Sequence, residues 1–366
     1  MDVVIIGNAR CFHTMDWYRE VAGIIKPRKV IFLTDLIESE SHEKLVKESD
    51  IIADLYNIDW LLLKNQSNFG NIWRNIIKLL IIPVQIWKVR RFQEKNPHVI
   101  FHAITIYYMF LCWLAGIKFI GTPQGSEILE RPDFSKWYKY FAIKSLHAAS
   151  YITVDSVSMQ KKIKEISGED AAVIQNGIDV AEITDTDSGV TVRNKIISIR
   201  GMYPLYRLEE IIKSRNNSND KPPISFFYPY WDDVYVGYMK SIFSERDLDI
   251  GRLAKKDMYT LMKSSYLAIS IPLSDSSPRS VYEAIFCGCC VAVTPNLFID
   301  SLPDCMKSRL YIVDLQDLNW FEKAVVKAKV ITSIPYIPSE EALNVFDQAR
   351  SMKLVCDLYY DPQKWN

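Results

Sequence analysis

The sequence has no excess of either charge: its 366 residues include 44 lysines and arginines and 44 aspartates and glutamates. A general nucleic-acid-binding protein carries a basic surplus, so this balance argues against that class of partner. Glycine and proline are scarce, at 13 and 16 residues, and no repeat period is visible, which excludes collagen-like and low-complexity chains. The 12% of aromatic residues excludes intrinsic disorder. A folded chain of this length is expected to form two domains.

The sequence also lacks a disulfide framework and a secretory leader. Its seven cysteines are odd in number and scattered along the chain. The first residues, MDVVIIG, run directly into an apolar strand without a basic region or a cleavage site. The most apolar stretches, 76–86 and 100–120, are too short or too interrupted to cross a bilayer. We therefore expect a cytoplasmic protein.

Three of the cysteines cluster at Cys287, Cys289 and Cys290. A structural zinc site needs about four ligands, usually in paired groups, and no second pair lies nearby in the sequence. The cluster also enters a predicted buried strand. These cysteines are therefore expected to be small core residues, and no metal site is predicted.

Short β-branched runs alternate with segments of helical spacing along the chain. Strands are predicted at 3–6, 29–33, 98–102, 118–120, 151–155 and 172–174, and again at 196–199, 224–228, 267–271, 291–294 and 310–313. A polar, acidic segment at 179–191 is predicted to be the interdomain linker. The alternation predicts an α/β protein with two doubly wound domains at 1–182 and 183–345. A long terminal helix is predicted at 340–359, and residues 346–366 are assigned to a C-terminal helical segment.

The most informative segment is 270–294, SIPLSDSSPRSVYEAIFCGCCVAVT. A predicted strand ends there, and a polar turn that contains Asp275 follows. A helix comes next, and it carries Glu283 eight positions after Asp275. Ser276 and Ser277 are expected to cap this helix, whose N-terminus favours an anion such as phosphate. Gly288 is expected to end it.

This segment resembles the E-x7-E signature of retaining glycosyltransferases of family 4. The matching residues are Asp275, Pro278, Glu283, Ala284, Gly288 and Val291. Segment 173–179 (VIQNGID) resembles the family's V-I-P-N-G-I-D, and 197–212 (ISIRGMYPLYRLEEII) resembles its G-R-x4-K-G segment with one inserted residue. In the first half, 97–103 (PHVIFHA) and 122–127 (TPQGSE) have counterparts as well. The resemblance implies the GT-B fold, in which two Rossmann-like domains face each other across a cleft and the final helix crosses back to the first domain; residues 346–366 are therefore expected to pack on the first domain.

The resemblance also implies a reaction. A sugar would pass, with retention, from a nucleotide-diphosphate-sugar donor to a hydroxyl of a glycan or lipid-linked glycan, without a metal or another cofactor. Glu283 would bind the ribose hydroxyls, Asp275 would contact the transferred sugar, and Arg200 would hold the diphosphate. The other expected donor contacts are Arg207, Ser276, Ser277, Arg279 and Gly7. No side chain is assigned as a nucleophile.

Several positions depart from the family pattern. The lysine that partners the family's arginine falls at Tyr206, and the neighbouring Arg207 is expected to replace it. Gln124 stands where the family has the histidine of T-x-H-G-S-D, and is expected to hydrogen-bond a sugar hydroxyl without acting as a base. Gly7-Asn8 replaces a glycine pair after the first strand. His102, at the predicted carboxyl end of its strand, is expected with Gln124 beside the acceptor.

A basic and aromatic segment occupies 71–92. Its basic and aromatic residues are Trp73, Arg74, Lys78, Trp87, Lys88, Arg90 and Arg91. One interpretation is a helix that lies peripherally on the inner membrane surface, which would suit a lipid-linked acceptor. The other is an ordinary amphipathic helix packed on the sheet and bent at Pro83. The sequence leaves both open.

Two functions besides glycosyl transfer also remain open. A nucleotide-sugar epimerase shares the implied fold, and conversion of the donor without an acceptor would identify it. A non-catalytic nucleotide-sugar-binding module would bind the donor tightly without turnover. The nucleotide, sugar, acceptor and linkage depend on loop shapes that no motif determines.

Overall fold

The computed structural model describes residues 2–26, 28–38, 55–63, 68–186, 189 and 192–361. The chain forms two compact units, one of residues 1–176 with 349–366 and the other of residues 177–348. The sequence analysis divides the chain after residues 182 and 345 instead. The difference arises because Ile178 and Asp347 pair as a parallel bridge, in which the Ile178 amide donates to the Phe346 carbonyl at 2.7 Å.

The first unit is built on a six-stranded parallel sheet of order β2-β1-β3-β4-β5-β6. Its strands are β1 (Val3–Ile6), β2 (Val30–Leu33), β3 (Ile100–Ile104), β4 (Phe119–Thr122), β5 (Tyr151–Val154) and β6 (Ala172–Val173). Strands such as VVII are continuously apolar because helices cover both faces of a parallel sheet. All six were predicted from the sequence.

Helices connect these strands and close the unit. They are α1 (Phe12–Ile24), α2 (Asn68–Lys95), α3 (Ile106–Ala115), α4 (Gly125–Leu129), α5 (Arg131–Phe134), α6 (Lys136–Ala148) and α7 (Val157–Ser167), with a 3-10 turn at Asp59–Leu61. The last helix of the chain, α16 (Gln348–Tyr359), also belongs here, as the GT-B resemblance implied. Its Met352, Val355 and Tyr359 are buried in one cluster with Val3 and Trp17.

The second unit repeats the architecture with a parallel sheet of order β12-β11-β10-β7-β8-β9. Its strands are β7 (Lys195–Ser198), β8 (Ser225–Phe227), β9 (Leu248–Gly251), β10 (Ser265–Ser270), β11 (Cys290–Val293) and β12 (Leu310–Ile312). Its helices are α8 (Val180–Asp185), α9 (Leu208–Asn217), α10 (Asp233–Ile242), α11 (Lys255–Lys263), α12 (Arg279–Phe286), α13 (Asp304–Lys307), α14 (Trp320–Thr332) and α15 (Glu340–Phe346), with 3-10 turns at Pro204–Tyr206 and Leu297–Ser301.

Three features of the second unit differ from the sequence prediction. Edge strand β9 was missed, because its exposed LDIG sequence carries little hydrophobic pattern. Helix α8 occupies part of the predicted linker at 179–191; residues 187, 188, 190 and 191 of that linker lie outside the described residues. The single helix predicted at 340–359 is two helices, since Asp347 between α15 and α16 has an extended backbone.

The order of strands identifies the place where each sheet would bind a ligand. In a doubly wound sheet, ligands bind beyond the carboxyl ends of the two strands at which the order reverses. That point lies between β7 and β10 in the second unit and between β1 and β3 in the first. In the second unit, Arg200 follows β7 and Asp275 follows β10, so two residues predicted for one site come from neighbouring loops.

Candidate active site

Arg200 and Asp275 form an ion pair at the switch point of the second sheet. The other terminal nitrogen of Arg200, Nη1, donates to Ser280 Oγ at 2.9 Å, at the start of α12. The Tyr206 ring lies against the guanidinium, with 4.9 Å between Arg200 Cζ and the ring centroid. Three parts of the unit therefore contact this arginine: the loop after β7, the loop after β10 and the first turn of α12.

The guanidinium of Arg200 is nearly buried, with 10% of its side chain exposed. Burial lowers the pKa of Arg200, because desolvation penalises the charged form. Its Nε is buried and has no hydrogen-bond acceptor among the described residues. An unsatisfied buried donor costs about 1–3 kcal/mol, so an anionic oxygen placed there would recover that free energy.

The loop after β7 is shaped by a close approach at Gly201. A Cβ at this position would lie 2.3 Å from Tyr230 Cε2, so no residue other than glycine fits without moving the ring. The Tyr230 hydroxyl is hydrogen-bonded to the Tyr206 hydroxyl, which supports the ring that covers Arg200. Packing on the aromatic pair thus orients the guanidinium.

Glu283 projects from α12, which begins at Arg279. Its Oε1 accepts a hydrogen bond from the Tyr259 hydroxyl at 3.0 Å and lies 3.8 Å from Arg279 Nε. Burial, followed by the charge of Glu283, raises the pKa of Tyr259, so that hydroxyl stays protonated as a donor. The carboxylate is held rigidly by groups on α11 and α12, and 10% of the Glu283 side chain is exposed.

The two serines of the motif lie in the turn before α12. The N-cap residue of α12 is Pro278, not Ser276 or Ser277 as expected, and proline has no side-chain acceptor for the first turn. The Ser277 amide instead donates to Asp275 Oδ1 at 3.2 Å, which fixes the Asp275 carboxylate for Arg200. The helix ends at Cys287 before Gly288, as predicted.

Arg207 is engaged with the backbone of the β10 loop. Its Nε donates to the Ile271 carbonyl and its Nη2 to the Pro272 carbonyl, each at 2.7 Å, and Nη2 is 3.3 Å from Thr294 Oγ1. These contacts leave only Nη1 for a phosphate. Arg207 therefore connects the ends of β10 and β11 in this structure.

Gly7 and Gln124 lie at the carboxyl edge of the first sheet. Gly7 follows β1, where a Cβ would lie 2.8 Å from Thr14 Cγ2 of α1, so glycine permits the tight strand-to-helix turn. Gln124 precedes α4, and its Nε2 lies 3.6 Å from the Cys11 sulfur in the β1–α1 loop. The structure therefore brings these two residues to one edge of the first unit, while Arg200, Asp275 and Glu283 belong to the second.

His102 lies inside the core of the first unit. Strand β3 continues to Ile104, two residues beyond the predicted end, so His102 is in mid-strand and fully buried. Its Nδ1 is 2.6 Å from the Tyr359 hydroxyl and its Nε2 is 2.7 Å from Thr122 Oγ1. Burial lowers the pKa of His102 to about 3, so the ring is neutral at physiological pH. The structure thus separates His102 from the carboxyl edge where the sequence analysis expected it.

The clustered cysteines are core residues, as predicted. Cys287, Cys289 and Cys290 are buried and free of disulfides. Desolvation raises the pKa of Cys289 and of Cys290 to about 12, which keeps both thiols neutral. Within the described ranges, no group of three or more His, Cys, Asp or Glu residues could hold a metal ion.

Helix α2 contains most of the basic and aromatic segment, and Pro83 lies inside it. Its exposed apolar residues recur every three or four positions and so share one face: Phe69, Ile72, Ile76, Leu79, Leu80, Val84 and Trp87. Two of the predicted cations bind other parts of the first unit: Lys78 Nζ lies 3.5 Å from the buried Asp35 Oδ2, and the exposed Arg90 donates to the carbonyls of Leu114 and Ala115. In the described part of the chain, no helix is both long enough and apolar enough to span a bilayer.

Sequence reasoning missed three residues that support the site. Ser280 and Tyr259 bind Arg200 and Glu283 directly, and Tyr230 supports Tyr206. Ser280 could have been inferred from its place in the first turn of a helix that begins at the switch point. No local pattern marks Tyr259 or Tyr230, because only the fold brings them close to residues 24 positions away in sequence.

No protein-family model matches the chain, and no curated protein matches it. Solved structures do. A glycosyltransferase from Rickettsia africae is similar with a TM-score of 0.72 at 13% identity, over 98% of this chain and 97% of that one. HepE from Anabaena, solved with UDP, has a TM-score of 0.64 at 13% identity, over 99% and 96%. A candidate UDP-N-acetylglucosamine 2-epimerase from Listeria monocytogenes has a TM-score of 0.62 at 11% identity, over 97% and 94%. At such identities the likeness concerns the fold, and that fold is GT-B: two Rossmann-like units, each on a parallel six-stranded sheet.

Proposed function

We propose that this protein is a glycosyltransferase that uses a nucleotide-diphosphate sugar. The observation that carries the proposal is the buried Arg200, which lies at the switch point of the second sheet with an unsatisfied Nε. A cation buried in this way is suited to a diphosphate, whose oxygens accept charge-assisted hydrogen bonds. The similarity to HepE, a protein solved with UDP, supports the same class of donor.

The proposed donor contacts follow from the geometry. The diphosphate would accept from Arg200 and lie near the first turn of α12, where backbone N–H groups favour anions. Glu283 would accept two hydrogen bonds from the ribose diol, held in place by Tyr259 and Arg279. Arg207 would position the β10 loop through its two carbonyl contacts and could offer Nη1 to a phosphate.

Asp275 is proposed to act on the transferred sugar. Its carboxylate pairs with Arg200 and accepts from the Ser277 amide, so it is oriented before the donor arrives. As negative charge develops on the leaving diphosphate, Arg200 would stabilise it, which is the largest catalytic contribution we assign. We propose transfer with retention and without a metal, by resemblance of the motif. Gln124 is proposed to contribute on the acceptor side, and the Gly7 loop is proposed to contact the donor.

The donor site is tested by thermal unfolding with UDP, GDP, dTDP, CMP and their sugar conjugates. A ligand of the folded state adds about 2.7 kcal/mol of stability at a hundredfold excess over its dissociation constant. We expect one nucleotide diphosphate to raise the melting temperature of the wild type and of Glu245→Gln, a control that removes an exposed acid of the second unit. The shift should be lost in Glu283→Gln. No shift with any nucleotide, or an equal shift in Glu283→Gln, would contradict the donor site.

A second measurement separates transfer from the two alternatives. The purified protein is incubated with the stabilising nucleotide sugar, with and without a glycan or lipid-linked glycan acceptor. A transferase releases the nucleotide diphosphate in proportion to the glycosylated acceptor formed. An epimerase converts the sugar nucleotide without any acceptor, and a binding module leaves it unchanged.

The exposed apolar face of α2 is proposed to contact a membrane surface peripherally. Leu79 and Leu80 are 71% and 70% exposed, and the exposed Arg74 and Arg91 lie on the same helix. Burying such side chains at an interface is favourable, and the arginines would attract anionic headgroups. We expect the wild type to co-sediment with phosphatidylglycerol-containing vesicles.

Leu79→Glu should weaken this binding, whereas Ile337→Glu, at a 79% exposed apolar residue of the second unit, should not. Equal vesicle binding by both variants would favour the other interpretation, a surface helix with no lipid contact.

A further inference from the structure

A cavity of about 620 Å3 lies at the amino-terminal edge of the second sheet. Arg193 precedes β7, Tyr266 is the second residue of β10, and Gly288 precedes β11; all three line the cavity. The Asp275 loop follows the opposite end of β10. The six residues of that strand extend over about 16 Å at about 3.3 Å per residue, so the cavity is separate from the Arg200 site.

The lining of this cavity combines positive charge with aromatic surface. Its cations are Arg193, Lys263 and Lys329, and its aromatic residues are Tyr266, Phe286 and Tyr336. The lining contains no carboxylate side chain among the described residues. Because deep clefts of about 300–1,000 Å3 are typical of small-molecule sites, the size fits a small organic ligand.

The hydrogen bonds of the three cations do not use all their donors. Arg193 directs three N–H groups to the carbonyls of Met262, Ser265 and Cys287 and also hydrogen-bonds the Cys289 sulfur, so at most two of its five N–H groups can reach a ligand. Lys263 Nζ donates to the Thr186 carbonyl at 2.7 Å. Lys329 is exposed, with Nζ 5.9 Å from the Tyr266 ring centroid. None of the three forms an ion pair with a carboxylate within the described residues.

The neighbouring helix ends offset only part of this charge. Helices α11, α12 and α14 all end beside the cavity, and each C-terminus carries about half a negative charge. Their sum of roughly −1.5 is smaller than the three full charges of the lining cations. Arg309 adds a further cation: it donates to the Ile334 carbonyl at 2.7 Å, and its Cζ lies 5.3 Å from the Tyr336 ring centroid. Burial, and then the like charge of Arg193, lowers the pKa of Arg309.

We propose that this cavity binds a small organic phosphate, at a site independent of the nucleotide-sugar site. The phosphate would accept from Lys329, Lys263 and the remaining N–H groups of Arg193. The organic part would pack on Tyr266, Phe286 and Tyr336, whose rings offer apolar surface beside the cations. The inference does not rest on the proposed glycosyl transfer.

Isothermal titration with phenyl phosphate tests the site. The wild type and Lys327→Gln, which removes an exposed lysine of α14 outside the lining, should bind it equally. Lys329→Gln should bind about tenfold more weakly, because a hydrogen bond to a charged group is lost. Raising the salt from about 50 to 300 mM should also weaken binding. No binding to the wild type, or equal binding by Lys327→Gln and Lys329→Gln, would overturn the proposal.

Two further titrations test the class of ligand and whether phenyl phosphate binds at the donor site instead of the cavity. Phenyl phosphate should bind more tightly than inorganic phosphate; equal affinities would overturn the aromatic part of the proposal. The titrations are repeated with saturating UDP, which should leave the dissociation constant unchanged. If UDP does not bind, the titrations use the nucleotide diphosphate that stabilises the protein; if none does, the proposed donor site fails, while the comparison of Lys329→Gln with Lys327→Gln still decides the cavity.

Discussion

The carboxyl edges of the two sheets have the same parallel geometry, but their buried side chains differ in hydrogen-bond partners. In the first unit, Glu127 is buried and accepts from the amides of Ile106 and Gln124 at 2.9 and 3.0 Å. In the second unit, Arg200 pairs with Asp275 and Ser280 yet keeps an unsatisfied Nε. At the first edge Glu127 is satisfied by backbone donors, although Arg10 Nε and Asp155 Oδ1 are buried without partners among the described residues, as Arg200 Nε is at the second edge.

This comparison separates buried polar groups whose partners lie within the fold from buried polar groups that have no partner among the described residues. Asp35, after β2, is fully buried and accepts from Tyr108, Gln85 and Lys78, all within the first unit. A buried network whose members are all satisfied adds rigidity, whereas an orphaned donor costs free energy until something binds. Satisfied and unsatisfied buried polar groups therefore occur at equivalent edges of this fold.

The largest expected effect concerns the turnover rate and Arg200, whose Nε has no acceptor among the described residues. Arg200→Gln should lower glycosyl-transfer kcat at least about 100-fold, because stabilisation of the leaving diphosphate is lost. Steady-state kinetics measure it, with Arg246→Gln, an exposed arginine of the same unit, as the control. Arg200→Lys should recover part of the rate by keeping the charge. Activity near that of the wild type in Arg200→Gln would make Arg200 a purely structural residue.

For Asp35, whose carboxylate accepts from Tyr108, Gln85 and Lys78, the main effect of a substitution should be on stability. Asp35→Asn should reduce the free energy of unfolding by about 3 kcal/mol, because the nearly buried Lys78 loses its counter-charge. Urea unfolding measures the loss, and the nucleotide-induced shift in melting temperature should be the same as in the wild type. A variant as stable as the wild type would show that the network adds nothing to the fold.

Asp155 is one of several groups in the first unit with an unsatisfied buried atom, a set that includes Arg10 Nε and Thr14 Oγ1. It follows β5, its Oδ1 is buried without a partner among the described residues, and burial raises its pKa to about 6. The folded state therefore holds this proton more tightly than the unfolded chain does. The resulting stability is complete below about pH 4 and is lost as the pH rises through about 6.

Asp155→Asn removes the ionisable carboxyl group, so the variant should not lose stability as the pH rises through about 6. Relative to the wild type, the variant should gain about 2 kcal/mol between pH 4.5 and pH 7.5 in urea unfolding. A difference between the two proteins that does not change with pH would contradict the raised pKa.

The smallest expected effect concerns the hydroxyl that binds His102. Tyr359→Phe should lower the free energy of unfolding by about 1 kcal/mol, since one buried hydrogen bond is lost. Tyr360→Phe is the matched control, because the buried Tyr360 hydroxyl has no partner in the described structure. Thermal unfolding of both variants distinguishes them, and an equal change would show that the His102 contact is not stabilising.

Much of the fold could be predicted from the sequence because strands and helices leave local patterns of apolar residues and glycine. Continuous apolar strands such as β1 and β11 mark buried parallel sheets, and Gly288 follows α12 where helical spacing stops. The proximity of Arg200 and Asp275 could also be anticipated, because Arg200 directly follows one predicted strand and Asp275 lies in the loop after another. Strand β9 was missed because an exposed edge strand needs no apolar run, and the break at Asp347 lacks proline or glycine.

By itself, the sequence determined the two α/β halves, the segments that become strands, and the acidic residues that lie at strand ends. Only the tertiary structure decided how the polar side chains are used. It buries His102 between Thr122 and Tyr359, directs Arg207 to the Ile271 and Pro272 carbonyls, and leaves Arg200 Nε without an acceptor in the described residues. The physical reason is that strand and helix patterns depend on neighbours in sequence, whereas desolvation and hydrogen bonding depend on groups brought together from distant positions.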